Sequence, residues 1–342
     1  MLRIFCVILF LFASQAAYAT STTTPTSLTK TQVIVDTDVG CDDAMALVSL
    51  LLKPTVEVKA ITISGTGLAH VKEGMRNIHC LLRLMDKSSI PIAGGRELPF
   101  KGGHLFPASW RTEHEAILDD FIIESDDVLD PGLPTAVELI RTTIESSKEK
   151  ITILALGPLT NIAEAFRMYP HLIKRIEKIH IMGGAVDVPG NLEVIDGNKV
   201  AEWNIFADPC AAQEVFQTQI PIQLIALDVT SQTAPAREFY EYVEKNQKTA
   251  AAQLFFQLLK KVKYLIYRDG GGFDFWDVVA VEILVDPTLA HFENRPIEIV
   301  TEKGPLCGQT APCSRGCVVQ LATKLDRQRF FQTCFDTVNS PP

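Results

Sequence analysis

Residues 33–43 read VIVDTDVGCDD. A short β-branched run ends, and Asp36, Asp38, Asp42 and Asp43 fall within eight positions. The apolar start predicts a strand buried on both faces, and the continuation CDDAMALVSLLL predicts a helix from Cys41. Clustered carboxylates repel one another unless positive charge sits among them. A hard divalent cation is the natural partner, because Ca²⁺ and Mg²⁺ take oxygen ligands. Singly, the aspartates have plainer readings: Asp42 and Asp43 as charges favoured at a helix N-terminus, Asp36 as a turn residue. As a set they favour a metal site.

Outward from this segment, strand and helix signals alternate. VEVKAITI (56–63), ITILAL (151–156), IEKIHIM (176–182) and IQLIAL (222–227) are short, nearly continuous apolar runs. Helical patterns lie between them at 70–85, 133–147 and 159–169. The alternation predicts an α/β fold with an open, mostly parallel, doubly wound Rossmann-like sheet, in one domain over 31–342. The distinctive residues follow the strands: Asp36 and Asp38, then SGTG (64–67), GPLTN (157–161) and GGAVD (183–187). Open α/β sheets bind ligands outside the carboxyl ends of their strands, so these loops should converge on one site.

The chain has 342 residues, 47% of them hydrophobic, and a net charge of −9. A nucleic-acid binder carries a basic excess or stripe, and the sequence has neither. The first 19 residues, MLRIFCVILFLFASQAAYA, combine Arg3, an apolar run and a small-x-small ending. They read as a secretory signal cut after Ala19; the apolar run is short for a membrane span. Residues 20–30 form a Thr/Ser/Pro segment, expected to be a flexible polar lead-in. The mature protein is expected to be secreted, with no membrane partner. Cys307, Cys313, Cys317 and Cys334 cluster near the C-terminus, where disulfides are plausible in an oxidising compartment. Cys41, Cys80 and Cys210 read as buried free thiols.

A strand followed by Asp-x-Asp also opens the haloacid-dehalogenase-like phosphatases, but here the continuation is Val39-Gly40-Cys41-Asp42-Asp43. That continuation resembles the N-terminal signature of the nucleoside hydrolases, Asp-x-Asp-x-Gly-x-Asp-Asp-Ala. LALGPLTNIA (154–163), IMGGAVDVPGN (181–191), AEWNIFADP (201–209) and FWDVVAVEILVDP (275–287) extend the resemblance in order. It implies the nucleoside hydrolase fold and a Ca²⁺-dependent N-ribohydrolase.

By this resemblance Asp38, Asp43, Asp277 and the Leu156 carbonyl hold calcium, and Asp38 is the general base. Asp42, Asn191, Glu202 and Asn204 match ribose-binding positions. Trp276, before Asp277, resembles the purine-specific branch, with Trp110 in ASWRTEHE as a second stacking wall. YRDGGGF (267–273) matches a mobile loop in that branch, gated by Arg268. SGTGLAH departs from the family in lacking an Asn or Asp; Thr66 or Gly67 stands there. His70, His104 and His114 are the histidines that could supply an acid. The resemblance implies a purine ribonucleoside substrate and a homodimer or homotetramer. The other readings are a broader-specificity ribonucleoside hydrolase and a non-catalytic secreted nucleoside-binding protein on the same fold.

Overall fold

The structure, a computed structural model, describes residues 30–101, 104–124, 132–235, 237–269 and 272–341. The expected secretory signal 1–19, the expected lead-in to residue 29, and Gly270 and Gly271 of the glycine loop lie outside the described residues.

Among the described residues, nine strands form one sheet: β1 Thr31–Thr37, β2 Val56–Ile63, β3 Ile92–Gly94, β4 Ile151–Ala155, β5 Ile176–Met182, β6 Ile222–Ile225, β7 Ala290–Ile299, β8 Thr310–Pro312 and β9 Cys317–Leu325. Their order is β3-β2-β1-β4-β5-β6-β9-β7-β8. Every pairing is parallel except those of β7 with β8 and β9. The helices are α1 Cys41–Leu51, α2 Val71–Leu84, α3 Ala108–Glu115, α4 Ala136–Ser146, α5 Thr160–Met168, α6 Trp203–Ala207, α7 Pro209–Phe216, α8 Leu227–Thr230, α9 Arg237–Lys245, α10 Ala250–Lys261, α11 Lys263–Tyr267, α12 Trp276–Val285 and α13 Arg327–Asn339. No described helix is long and apolar enough to cross a membrane.

Side chains alternate across β1, and each face feeds its own core. Val33 and Val35 join α1, α10, α12 and α13, whereas Ile34 joins α4, α5 and α7. Burial on both faces explains the unbroken apolar runs of β1 and β4. Helix α12 is buried from Asp277 to Leu284, as expected of a helix that is apolar nearly all round.

The antiparallel end, β7 to β9, left no clear signal in the sequence. In AHFENRPIEI only Ile297 and Ile299 are buried, so β7 lacks an apolar run. The late cysteines do not pair: among the described residues, none of the seven cysteines is in a disulfide. Cys307 is buried in a loop near His104, Cys334 in α13, and Cys313 and Cys317 flank the β8–β9 turn. Cys210, expected to be buried, is half-buried.

Candidate active site

The carboxyl end of β1 bends sharply at Val39, whose φ of 64° lies in the left-handed region. A β-branched residue there costs about 1–3 kcal/mol and is held only by surrounding structure. The bend starts α1 at Cys41 and turns Asp38 towards the 64–70 loop. The Leu68 N–H donates to Asp38 Oδ2 at 3.0 Å, and the Ala69 N–H to the Asp38 carbonyl at 2.9 Å. Two glycines make room for this carboxylate. A Cβ on Gly67 would lie 2.1 Å from Asp38 Oδ2, and one on Gly157 2.8 Å from Asp38 Cβ. Close approach explains the glycines of SGTG and GPLTN.

Asp43 accepts the Gly40 N–H at 2.8 Å and the Thr37 hydroxyl, fixing the first turn of α1. Asp277 enters from the first turn of α12. Ligand oxygens of Asp42, Asp43 and Asp277 all lie within 4.8 Å of one another. Asp38 is outside that trio but close enough to interact electrostatically with it. Burial first, and the Asp43 charge second, push the Asp38 and Asp277 carboxyls well above the usual range. Asp42 is pushed up to about 8 by burial and then by Asp43. Asp277 Oδ1 is buried without a partner. An orphaned oxygen within an all-oxygen donor set, at the N-termini of two helices, fits a hard divalent cation. Asp36 stands apart: its Oδ1 accepts from Thr62 and Asn161 at 2.6 and 2.8 Å, tying β1 to β2 and α5.

The 201–209 segment reaches the same strand ends. Asn204 Nδ2 donates to the Leu156 carbonyl at 2.9 Å and to the Met182 carbonyl at 3.3 Å, joining the ends of β4 and β5. Glu202 caps α6, accepting the N–H groups of Asn204, Ile205 and Gly184 at 2.8, 3.2 and 2.8 Å. Burial raises its pKa and those three donors lower it, the burial being the larger effect. Asn191 Oδ1 accepts the Trp203 N–H at 3.2 Å. Asn191, Glu202 and Asn204 are thus brought together, with Leu156 beside them.

The expected stacking residues lie in two places. Trp110, on α3, meets Trp203 edge-on at 5.5 Å, and Trp203 stacks on Phe106 at 4.6 Å. Leu68 packs against this cluster, so one residue touches both the aromatics and Asp38. Trp276 is half-buried at the start of α12, edge-on to Phe273 at 5.5 Å. Trp203 was not singled out from the sequence, although it lies between Glu202 and Asn204; its indole N–H is buried without a partner. Arg268 is exposed after α11, near Gly272. Thr66 is engaged elsewhere: its hydroxyl shares a buried chain with Ser64 and Thr160, each at 3.0 Å. His70 pairs with Glu115, His114 with the Trp110 carbonyl, and His104 packs on Phe206. A groove of about 520 Å³ opens at the amino ends of β6 and β9, away from all these residues.

Residues 33–332 match the family model described as inosine-uridine preferring nucleoside hydrolase. The chain belongs to that family. A pyrimidine-specific ribonucleoside hydrolase of Klebsiella pneumoniae is 35% identical over 65% of this chain and 69% of its own length. Other curated relatives of the same description are matched over 60% of their length. A purine-preferring ribonucleoside hydrolase from Gardnerella vaginalis superposes with a TM-score of 0.77 at 25% identity, over 90% of this chain and 98% of that one. An inosine-uridine preferring nucleoside hydrolase from Bacillus anthracis shares the fold, with a TM-score of 0.80 at 24% identity over 90% and 99% of the two chains. The family match joins the carboxylate cluster and the 201–209 segment in one nucleoside hydrolase framework.

Proposed function

We propose that this nucleoside hydrolase is a secreted, Ca²⁺-dependent N-ribohydrolase that splits purine ribonucleosides into free base and ribose. The observation that carries the chemistry is the buried convergence of Asp42, Asp43 and Asp277 beside Asp38. Asp38, Asp43, Asp277 and the Leu156 carbonyl would hold the cation. When bound, a dication supplies the charge that keeps these carboxylates ionised and acidifies the attacking water. Asp38, oriented by the Leu68 N–H, takes the proton from that water as general base. Asp42, Asn191, Glu202 and Asn204 receive the ribose hydroxyls. Such buried partners disfavour deoxyribose, because the missing hydroxyl leaves them unpaired. Carboxylates around the ring favour the positive charge that develops on the sugar as the C–N bond loosens.

The purine preference rests on Trp276 beside Asp277 and on Trp110, aromatic walls suited to a stacked base that becomes protonated on leaving. A pyrimidine-specific reading is favoured by one observation, the 35% identity to the Klebsiella enzyme. A panel of inosine, guanosine, adenosine, uridine and cytidine, with and without chelator, separates the two. Faster release from inosine than from uridine is expected, with loss of activity on chelation and recovery with Ca²⁺. Faster uridine cleavage sinks the purine assignment, and activity surviving rigorous calcium removal sinks the metal role. Secretion is tested by sequencing the N-terminus of exported protein, expected at Thr20.

A further inference from the structure

Helices α1 and α12 both begin at the carboxylates and run away from them side by side. Asp42 and Asp43 lie in the first turn of one, and Asp277 in the first turn of the other. Both helices are largely apolar where buried: Met45, Leu47, Val48, Val278, Val281 and Ile283 belong to the one core cluster the two helices share. Apolar surfaces of this kind specify contact but only weakly specify register. One polar feature interrupts the interface. Glu282 of α12 is 0% exposed; its Oε1 accepts the Ser49 hydroxyl at 2.6 Å, and its Oε2 pairs with Lys53 Nζ at 2.6 Å. Lys53 also donates to Thr337 of α13 at 2.7 Å.

Ser49 stands about 9 Å along α1 from Asp43, and Glu282 about 7.5 Å along α12 from Asp277, at the helical rise per residue. The Ser49–Glu282 hydrogen bond therefore lies about one and a half turns beneath the carboxylates, at similar depth on both helices, and Lys53 reaches the same carboxylate from just past the end of α1. We infer that Lys53, Glu282 and Ser49 are positioning residues that lock the register of α1 against α12 and so set the spacing of Asp43 and Asp277. A slip of one residue would displace one carboxylate by about 1.5 Å. Metal–ligand distances tolerate only about 0.2 Å. A buried ion pair is a poor source of net stability, since apolar replacements are often as stable. Fixing a register that apolar packing leaves loose is the role that suits it.

This inference rests on the cation reading of the site, and its test separates the two. Chelator-stripped wild type, Lys53→Met/Glu282→Leu and Glu282→Gln are titrated with CaCl₂ by calorimetry. Thermal melts and the kcat and KM for inosine are recorded alongside. The double variant is expected to melt as a folded protein while its Ca²⁺ Kd rises about tenfold, the low end for outer-shell partners of a metal site. Its kcat should fall with KM for inosine nearly unchanged. Glu282→Gln keeps the shape and the Ser49 contact, so a smaller rise in Kd is expected. If the double variant fails to fold, Glu282→Gln carries the test. Wild-type Ca²⁺ affinity in the folded variants overturns the register lock and leaves the cation reading standing. Absence of cation binding in the wild type overturns both.

Discussion

Asp38 Oδ2 accepts the Leu68 N–H at 3.0 Å, while the Leu68 side chain packs into the cluster of Phe106, Trp110 and Trp203. The proposed base and one proposed aromatic wall therefore both contact Leu68, and disturbing its loop should disturb both. Gly67→Ala tests the coupling, because its Cβ would lie 2.1 Å from Asp38 Oδ2. Asp38 must move, and a misplacement of about 1 Å can cost about a hundredfold in rate. We expect kcat to fall by about that factor in Gly67→Ala. Asp38→Ala should fall further, with ribose binding partly retained. Stopped-flow kinetics and equilibrium binding of a ribose analogue check both, and near-normal turnover in Asp38→Ala removes it as the base.

Asp277 Oδ1 has no partner in the protein, and burial together with three acidic neighbours raises its pKa. Replacing it with Asn relieves that repulsion and removes a cation ligand. The two effects have opposite signs in two conditions. Without cation, Asp277→Asn should melt at or above the wild-type temperature. With cation at about 100 times its Kd, the wild type should gain about 2.7 kcal/mol and the variant little. Differential scanning calorimetry with and without CaCl₂ reads both. An equal cation-induced shift in both proteins would remove Asp277 from the ligand set.

The parallel half of the fold was legible because β1, β2, β4, β5 and β6 are largely buried apolar runs, the first four followed by loop residues with unusual chemistry. That Asp277 joins Asp42 and Asp43 was legible only through resemblance, since nothing local says that α12 lies beside α1. What the sequence hid is backbone geometry. Val39 has a φ that its side chain argues against. The need for glycine at 67 and 157 arises from a carboxylate distant in sequence. Strand β7, between β9 and β8, was missed because its charged, half-exposed residues carry no period. Trp203 was passed over because the residues on either side of it carried the resemblance.

His180 provides a pH prediction away from the carboxylates. It is fully buried in β5, meeting the Ala280 carbonyl of α12 through Nε2 at 2.9 Å and Gln223 Oε1 through Nδ1 at 3.1 Å. Burial, and then Lys178, push its pKa down to about 4. The folded protein therefore keeps a neutral imidazole where the unfolded chain, titrating near 6.5, takes up a proton. Stability from this group is complete above pH 6.5 and is lost as pH falls towards 4, by about 3 kcal/mol in all. Urea titrations from pH 7 to 4 should show wild type losing more stability than His180→Gln across that window. Parallel curves would contradict the depressed pKa.

The two tryptophan sites should separate base preference from ribose recognition. Trp276 adjoins Asp277, whereas Trp110 reaches the proposed ribose-binding residues through Trp203, whose backbone N–H donates to Asn191. An aromatic contact is worth about 0.5–1.5 kcal/mol beyond its buried area, which is about two- to tenfold in rate. Trp276→Ala should therefore lower kcat/KM for inosine by at least that factor while lowering that for uridine less. Trp110→Ala should do the same if it forms the opposite wall. It should instead raise KM for both substrates if it only supports Trp203 and Asn191. The inosine-to-uridine ratio of kcat/KM reads the difference, and a ratio unchanged in both variants would remove the tryptophans as the source of purine selectivity.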